Sequence, residues 1–250
     1  MPKRQLFRGP KSKIERANRH INELNNELIA FCKTDFYRLH VNTDVAGQNI
    51  LTLDAKPLPD EFALIVGDAI HNLRAALDLM ACEIVTIGGG TPSKYTSFFV
   101  RDTREELVAA ISSGEIKIAG QDICDLISDT IKPYKGGNDP LWALHQLDIM
   151  DKHKLLIPTI GVVQVTVDAY DDNGNQFVNN TLGVGAGGRL QAIATSARMH
   201  ITNYRNPAFG VFFPEGAIFK GQPLVPTLKQ LAQLVSGVVE TIEKALLART

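Results

Sequence analysis

The sequence predicts an α+β fold: a helical core, an antiparallel β-sheet mainly in the C-terminal half, and a β-hairpin near the N-terminus. Three observations carry this expectation. Apolar residues recur at alternating steps of three and four near both ends of the chain and over residues 60–87. Between residues 155 and 220 the period changes to two. A shorter period-two stretch, divided by a glycine, lies at residues 36–56.

Taken in order, residues 1–12 are polar, carry Gly9-Pro10 as a breaker and read as a flexible basic tail ahead of a single α+β domain over 13–250. Over residues 12–33, Ile14, Ala17, Ile21, Leu24, Leu28 and Phe31 form one stripe of an amphipathic helix. Tyr37, Leu39 and Val41, then Leu51, Leu53 and Ala55, alternate around Gly47 as a hairpin. Pro57 and Pro59 stop its second strand, a helix follows from Asp60, and Gly88-Gly89-Gly90 supplies the left-handed conformation that ends it.

Phe98-Phe99-Val100 reads as a short strand, and residues 103–113 and 120–131 as helices. Asp139 as cap and Pro140 at the first position start a helix over 139–153. Beyond Pro158, Val163, Val165, Val167 and Ala169 face one way and Gln164, Thr166, Asp168 and Tyr170 the other. Asp172-Asn173-Gly174 turns that strand back through Phe177 and Val178. Residues 190–202 suit a strand or a helix, 209–213 a strand ended by Pro214, and 226–248 a final amphipathic helix. The stripes of the first and last helices would serve a shared core or a homodimer seam.

Bulk composition narrows the function classes. The chain has 250 residues, 44% hydrophobic and 21% charged, with a formal net charge of −1. That is an ordinary globular balance, without a surface that is one electrostatic trap for nucleic acid or anionic membrane. Charge is uneven, however: Lys3, Arg4, Arg8, Lys11, Lys13, Arg16 and Arg19 stand against Glu15 alone in the first twenty residues, a basic arm able to touch phosphates. Cys32, Cys82 and Cys124 form no paired motif and read as reduced thiols. With neither a signal-like nor a membrane-spanning apolar run, the expected location is the cytoplasm, with no membrane partner.

Two constellations could carry chemistry. On the 60–87 helix the apolar side chains occupy an arc from about 60° to 220°, taking Asp68 as zero and 100° per residue. Arg74, Asp78 and His71 follow at about 240°, 280° and 300°. An imidazole with carboxylates to orient it and a guanidinium to hold an anion is one reading of this band; a hydrogen-bonded network joining two helices is the other. The second constellation is His145-x-x-Asp148-x-x-Asp151-Lys152-His153-Lys154, in which His145 and Asp148 share a face. Gly183-x-Gly185-x-x-Gly188 matches a dinucleotide fingerprint in letters only, since its preceding strand is too polar and no acid follows about twenty residues on. No ligand spacing resembles a zinc motif, so neither a metal nor a cofactor is expected.

Asp68-x-x-His71-Asn72-Leu73-Arg74-x-Ala76-Leu77-Asp78, Ile131-Lys132-Pro133-Tyr134 and Leu147-x-x-x-Asp151-Lys152-His153-Lys154 together resemble a widespread family of uncharacterised bacterial proteins. The resemblance covers about residues 14–157 and implies no particular activity. A weaker likeness is to HEPN-type helical ribonucleases, whose motif sets an arginine and a histidine four to six residues apart on one helix. Asp148-x-x-x-x-His153 keeps that spacing with aspartate in the arginine's place, and Arg74 follows His71 instead of preceding it. What this likeness implies is metal-independent RNA cleavage at a cleft holding His71, Arg74, Asp78, Asp151 and His153, with RNA as partner. The alternative is a non-catalytic binding or assembly protein in which the same residues fix the helix pairing.

Overall fold

A computed structural model describes residues 6–43, 49–183, 199–214 and 216–249. Its elements run α1 (Arg8–Phe31), β1 (Tyr37–Thr43), β2 (Asn49–Ala55), α2 (Asp60–Ile87), α3 (Arg104–Ser113), α4 (Gln121–Asp125), α5 (Asp139–Asp151), β3 (Thr159–Asp171), β4 (Gln176–Gly183), β5 (Met199–Phe212) and α6 (Leu224–Leu247). The class is α+β, as the periodicities predict. No helix among the described residues is long and apolar enough to cross a membrane.

The chain divides into two compact units. The first is helical and comprises residues up to Leu24, Ala63–Leu156, and Val225 onward. The second comprises Asn25–Phe62 and Ile157–Leu224, and holds both sheets.

In the helical unit α2 is the central element. Its predicted apolar arc is fully buried, with Ala69, Ile70, Leu73, Leu77, Met80 and Ile84 all at 0% exposure. Leu228, Val235 and Ile242 form the equivalent buried stripe of α6. At the α2 C-terminus Gly89 takes φ +88° and the Gly90 N–H reaches back to the Val85 carbonyl, which ends the helix as the glycine run predicts.

α1 begins at Arg8, four residues before the expected start, so Gly9-Pro10 lies in its first turn. A proline there loses no hydrogen bond, because the first N–H groups of a helix have no intrahelical acceptor. Phe7 is buried and its N–H donates to the Glu83 carboxylate on α2 at 2.9 Å.

Other boundaries differ for local reasons. Asn138 caps α5 where Asp139 was expected: its Oδ1 accepts from the Leu141 N–H at 3.2 Å, and Pro140 follows within the first turn. The single helix predicted over 120–131 is α4 followed by a π-helical turn at Leu126–Ile131, which ends on Lys132 at φ +54°. A 3₁₀ turn, Glu115–Ala119, precedes it. Phe98-Phe99-Val100 does not form the predicted strand, because α2 side chains take the backbone groups of Phe98 that a ladder would need.

In the second unit β1 and β2 pair antiparallel, Tyr37 opposite Ala55. The other sheet has the order β4-β3-β5, also antiparallel. Val165, Val167 and Ala169 of β3 are buried, the face that alternation predicts. Gly174 at φ +81° makes the β3–β4 turn, and Asp171 Oδ1 accepts the N–H groups of Asn173 and Asn175. β5 runs 14 residues, beginning well before the predicted Phe209. The Gly47 turn and Gly185 and Gly188 of the glycine-rich loop lie outside the described residues, as does most of the ambiguous 190–202 stretch. Phe31, Phe36, Phe62, Tyr37 and Phe209 form an aromatic cluster, with Phe36 and Phe209 ring centroids 4.8 Å apart.

Candidate functional site

The polar band of α2 and the polar face of α5 meet within the helical unit. Gly67, His71, Arg74 and Asp78 recur at steps of four, three and four, which places them on one stripe of α2. Three of them find partners on α5 in reverse order. The Asp151 carboxylate lies over Gly67, His71 Nδ1 is 3.0 Å from Asp148 Oδ1, and Arg74 Nε is 3.2 Å from His145 Nδ1. Each step forward along α2 matches a step of three back along α5, so the helices run antiparallel in a fixed register.

Exposure along the stripe follows angular position. Arg74 borders the apolar arc and is 6% exposed, the Asp78 side chain is 36% exposed, and the His71 side chain, farthest round, is 58% exposed. The band therefore divides into a buried half and an open half.

The buried half is a clasp. Arg74 donates Nε to His145, and Nη2 to the Phe98 carbonyl at 2.7 Å and to Asp78 Oδ1 at 2.9 Å. Asp78 Oδ1 also accepts the Phe98 N–H at 2.9 Å, so the pair holds both backbone groups of that residue. Burial pulls the Arg74 pKa down, opposed by Asp78 and Asp148, and pushes the Asp78 carboxyl up, opposed by Arg74. His145 is lowered to about 4, first by burial and then by the Arg74 charge. A neutral imidazole with Nδ1 as acceptor is the form that fits the Arg74 donor.

The open half centres on Asp148, whose side chain is 4% exposed. Its Oδ1 meets His71 Nδ1 and its Oδ2 meets Lys152 Nζ at 2.6 Å. Because a carboxylate only accepts, the His71 Nδ1 carries the proton of that bond, and in the neutral ring Nε2 is the acceptor. The Lys152 side chain is 55% exposed and shares the Asp148 carboxylate with the imidazole. Asp151 is half-buried, and burial with Asp148 and Asp68 nearby raises its pKa. Among the described residues, Asp151 Oδ1 and Arg74 Nη1 are the buried side-chain polar atoms without a hydrogen-bond partner.

Of the five residues predicted for the site, His71, Arg74, Asp78 and Asp151 lie on the α2–α5 contact. His153 lies past the end of α5, exposed; its N–H bonds to the Met150 carbonyl, and no hydrogen bond or ion pair of its ring is found among the described residues. The five predicted residues do not include His145 and Asp148, which belong to the second constellation, or the backbone of Phe98. The common face of His145 and Asp148 was the available signal, whereas nothing local marks Phe98. Trp142 on α5 is half-buried and donates Nε1–H to Asp102 at 2.8 Å. Comparison of the chain with protein-family models, curated proteins and solved structures finds no match.

Proposed function

We propose that the open half of the α2–α5 contact is an acid–base site for metal-independent RNA cleavage, of the kind the likeness to HEPN-type ribonucleases implies. The observation that carries the reading is the His71–Asp148 dyad: a buried carboxylate fixes the tautomer of an exposed imidazole, with a lysine on its other oxygen. In this reading His71 Nε2 takes the proton of a ribose 2′-hydroxyl. The 2′-oxygen forms a bond to the adjacent phosphorus, the bond to the 5′-oxygen breaks, and that oxygen leaves with a proton from solvent. The products are a 2′,3′-cyclic phosphate and a 5′-hydroxyl. Lys152 holds the phosphate oxygens as charge builds on them. Arg74 and Asp78 are positioning residues, because the clasp engages their charges.

The second reading, a non-catalytic assembly or binding protein, is favoured by the burial of Arg74, since such a guanidinium serves helix pairing before it serves a ligand. Two substitutions separate the readings. His71→Ala is expected to abolish cleavage of an RNA oligonucleotide and to cost only about 1 kcal/mol, because Asp148 Oδ1 loses one partner while Lys152 keeps the other oxygen paired. Arg74→Ala is expected to cost about 3 kcal/mol, the low end for a broken buried pair because Asp78 keeps some solvent. Wild-type protein that releases no cyclic phosphate from RNA removes the catalytic reading and leaves the clasp as the whole role of the contact.

A further inference from the structure

α2 has a second flank, and the helix on it is the most basic of the chain. Counting from Asp68, α5 reaches the positions at about 240° to 300°, whereas α1 reaches Asn72, Glu83 and Leu79 at about 20° to 60°. Phe7 N–H meets Glu83, Gly9 lies against Glu83 and Leu79, and Lys13 Nζ donates to Asn72 Oδ1 at 3.2 Å. α1 is thus antiparallel to α2 on the side opposite α5. Between the two flanks a narrow ridge of α2 remains, with Leu64, Asp68, His71 and Leu79 exposed along it. From Leu64 to Leu79 it runs about 22 Å, at 1.5 Å per residue.

Cations stand on both sides of His71. Lys13 is bonded to the residue next to it in sequence, and Lys152 to the carboxylate that orients it. Arg16, one turn beyond Lys13, is exposed. The ridge itself offers the apolar side chains of Leu64 and Leu79, 49% and 38% exposed, and the carboxylate of Asp68. A phosphate is repelled from the centre of this strip and drawn to its edges, while an apolar base face is accepted along it.

We infer that this ridge is a track for single-stranded RNA, with phosphates on either side of the cleaved bond held by Lys13 and Arg16 on one bank and by Lys152 on the other. The inference rests on the acid–base reading for the identity of the strand; Lys13 and Arg16 stand outside the chemistry, whereas Lys152 serves both. A track one helix wide between two flanking helices suits one strand, whereas a duplex is recognised by shape across its minor groove.

The test is binding of a short end-labelled oligouridylate, read by fluorescence anisotropy on His71→Ala protein, which retains both banks. Adding Lys13→Ala, Arg16→Ala or Lys152→Ala is expected to lower the dependence of log K on log salt by about 0.7 each, measured between about 50 and 200 mM. Lys229→Ala, at an exposed position of α6, is expected to leave that dependence unchanged. Arg16 is exposed, so its substitution keeps the test independent of any loss of packing at Lys13. The track is overturned if the salt dependence survives all three substitutions, if a duplex is preferred, or if no binding is measurable at about 50 mM salt. Cleavage by the wild type together with an unaltered salt dependence rejects the track and leaves the acid–base reading standing. A lysine-dependent salt effect in a protein that never cleaves rejects the nuclease and keeps the strand-binding surface.

Discussion

His71 and Arg74 are three residues apart on one helix, yet their surroundings give them different chemistry. The 60° between them carries one side chain into solvent and the other against the apolar arc. His145 is a third case, an imidazole held neutral by burial and by the guanidinium that donates to it. Its pKa near 4, against an ordinary 6.5, means that the unfolded chain takes up a proton in this interval that the folded chain refuses. Stability from this group is complete above pH 6.5 and is lost as the pH falls toward about 4. Asp78 and Asp151, with raised pKa values, act in the opposite sense, holding their protons more tightly in the folded state. The histidine is therefore isolated by difference. His145→Asn keeps an acceptor for Arg74 and is expected to lose less stability than wild type between pH 6.5 and pH 4 in thermal melts. Superimposable melting profiles would show that His145 titrates normally.

Where α5 meets α2 at Gly67, the Asp151 carboxylate occupies the space a side chain would take. A Cβ at Gly67 would overlap Asp151 Oδ2 and lie 2.6 Å from Oδ1, closer than nonbonded atoms approach. Glycine inside a helix costs about 0.5–1 kcal/mol relative to alanine, so Gly67→Ala would stabilise the helix if space allowed. The expected outcome is that Gly67→Ala lowers the melting temperature in the wild type and raises it in Asp151→Ala protein. This sign reversal, read in a double-mutant cycle, reports the α2–α5 register directly. A similar cost in both backgrounds would mean that Asp151 is not what limits the position. Much of this scale was legible: the α2 limits, the hairpin, the face of β3 and the Arg74–Asp78 pair all follow from local spacing. Phe98-Phe99-Val100 misled because strand propensity is local, whereas its backbone partners are side chains some twenty residues away.

Over the whole molecule, protection of backbone hydrogen bonds should follow burial of the elements that contain them. The slowest amide exchange is expected along the buried arc of α2 and the stripe of α6, and the fastest among the strands in the β1–β2 hairpin, since a two-stranded ribbon is marginal by itself. Hydrogen–deuterium exchange read by mass spectrometry checks this, and a hairpin as protected as α2 would contradict it. The sequence by itself determined the α+β class, the main helices and strands, and the two polar segments from which the candidate site is built. It did so because helix and strand periods, caps and breakers are encoded within a few residues. Only the tertiary structure decided which side chain of each polar segment is buried and which is open. It set His145 and Asp148 against α2, brought in Phe98, and left His153 outside the contact. It also set α1 and α5 on opposite flanks of α2, so that Lys13 and Lys152 bracket His71. Those outcomes depend on the register between helices some eighty residues apart in sequence, and no local pattern specifies it.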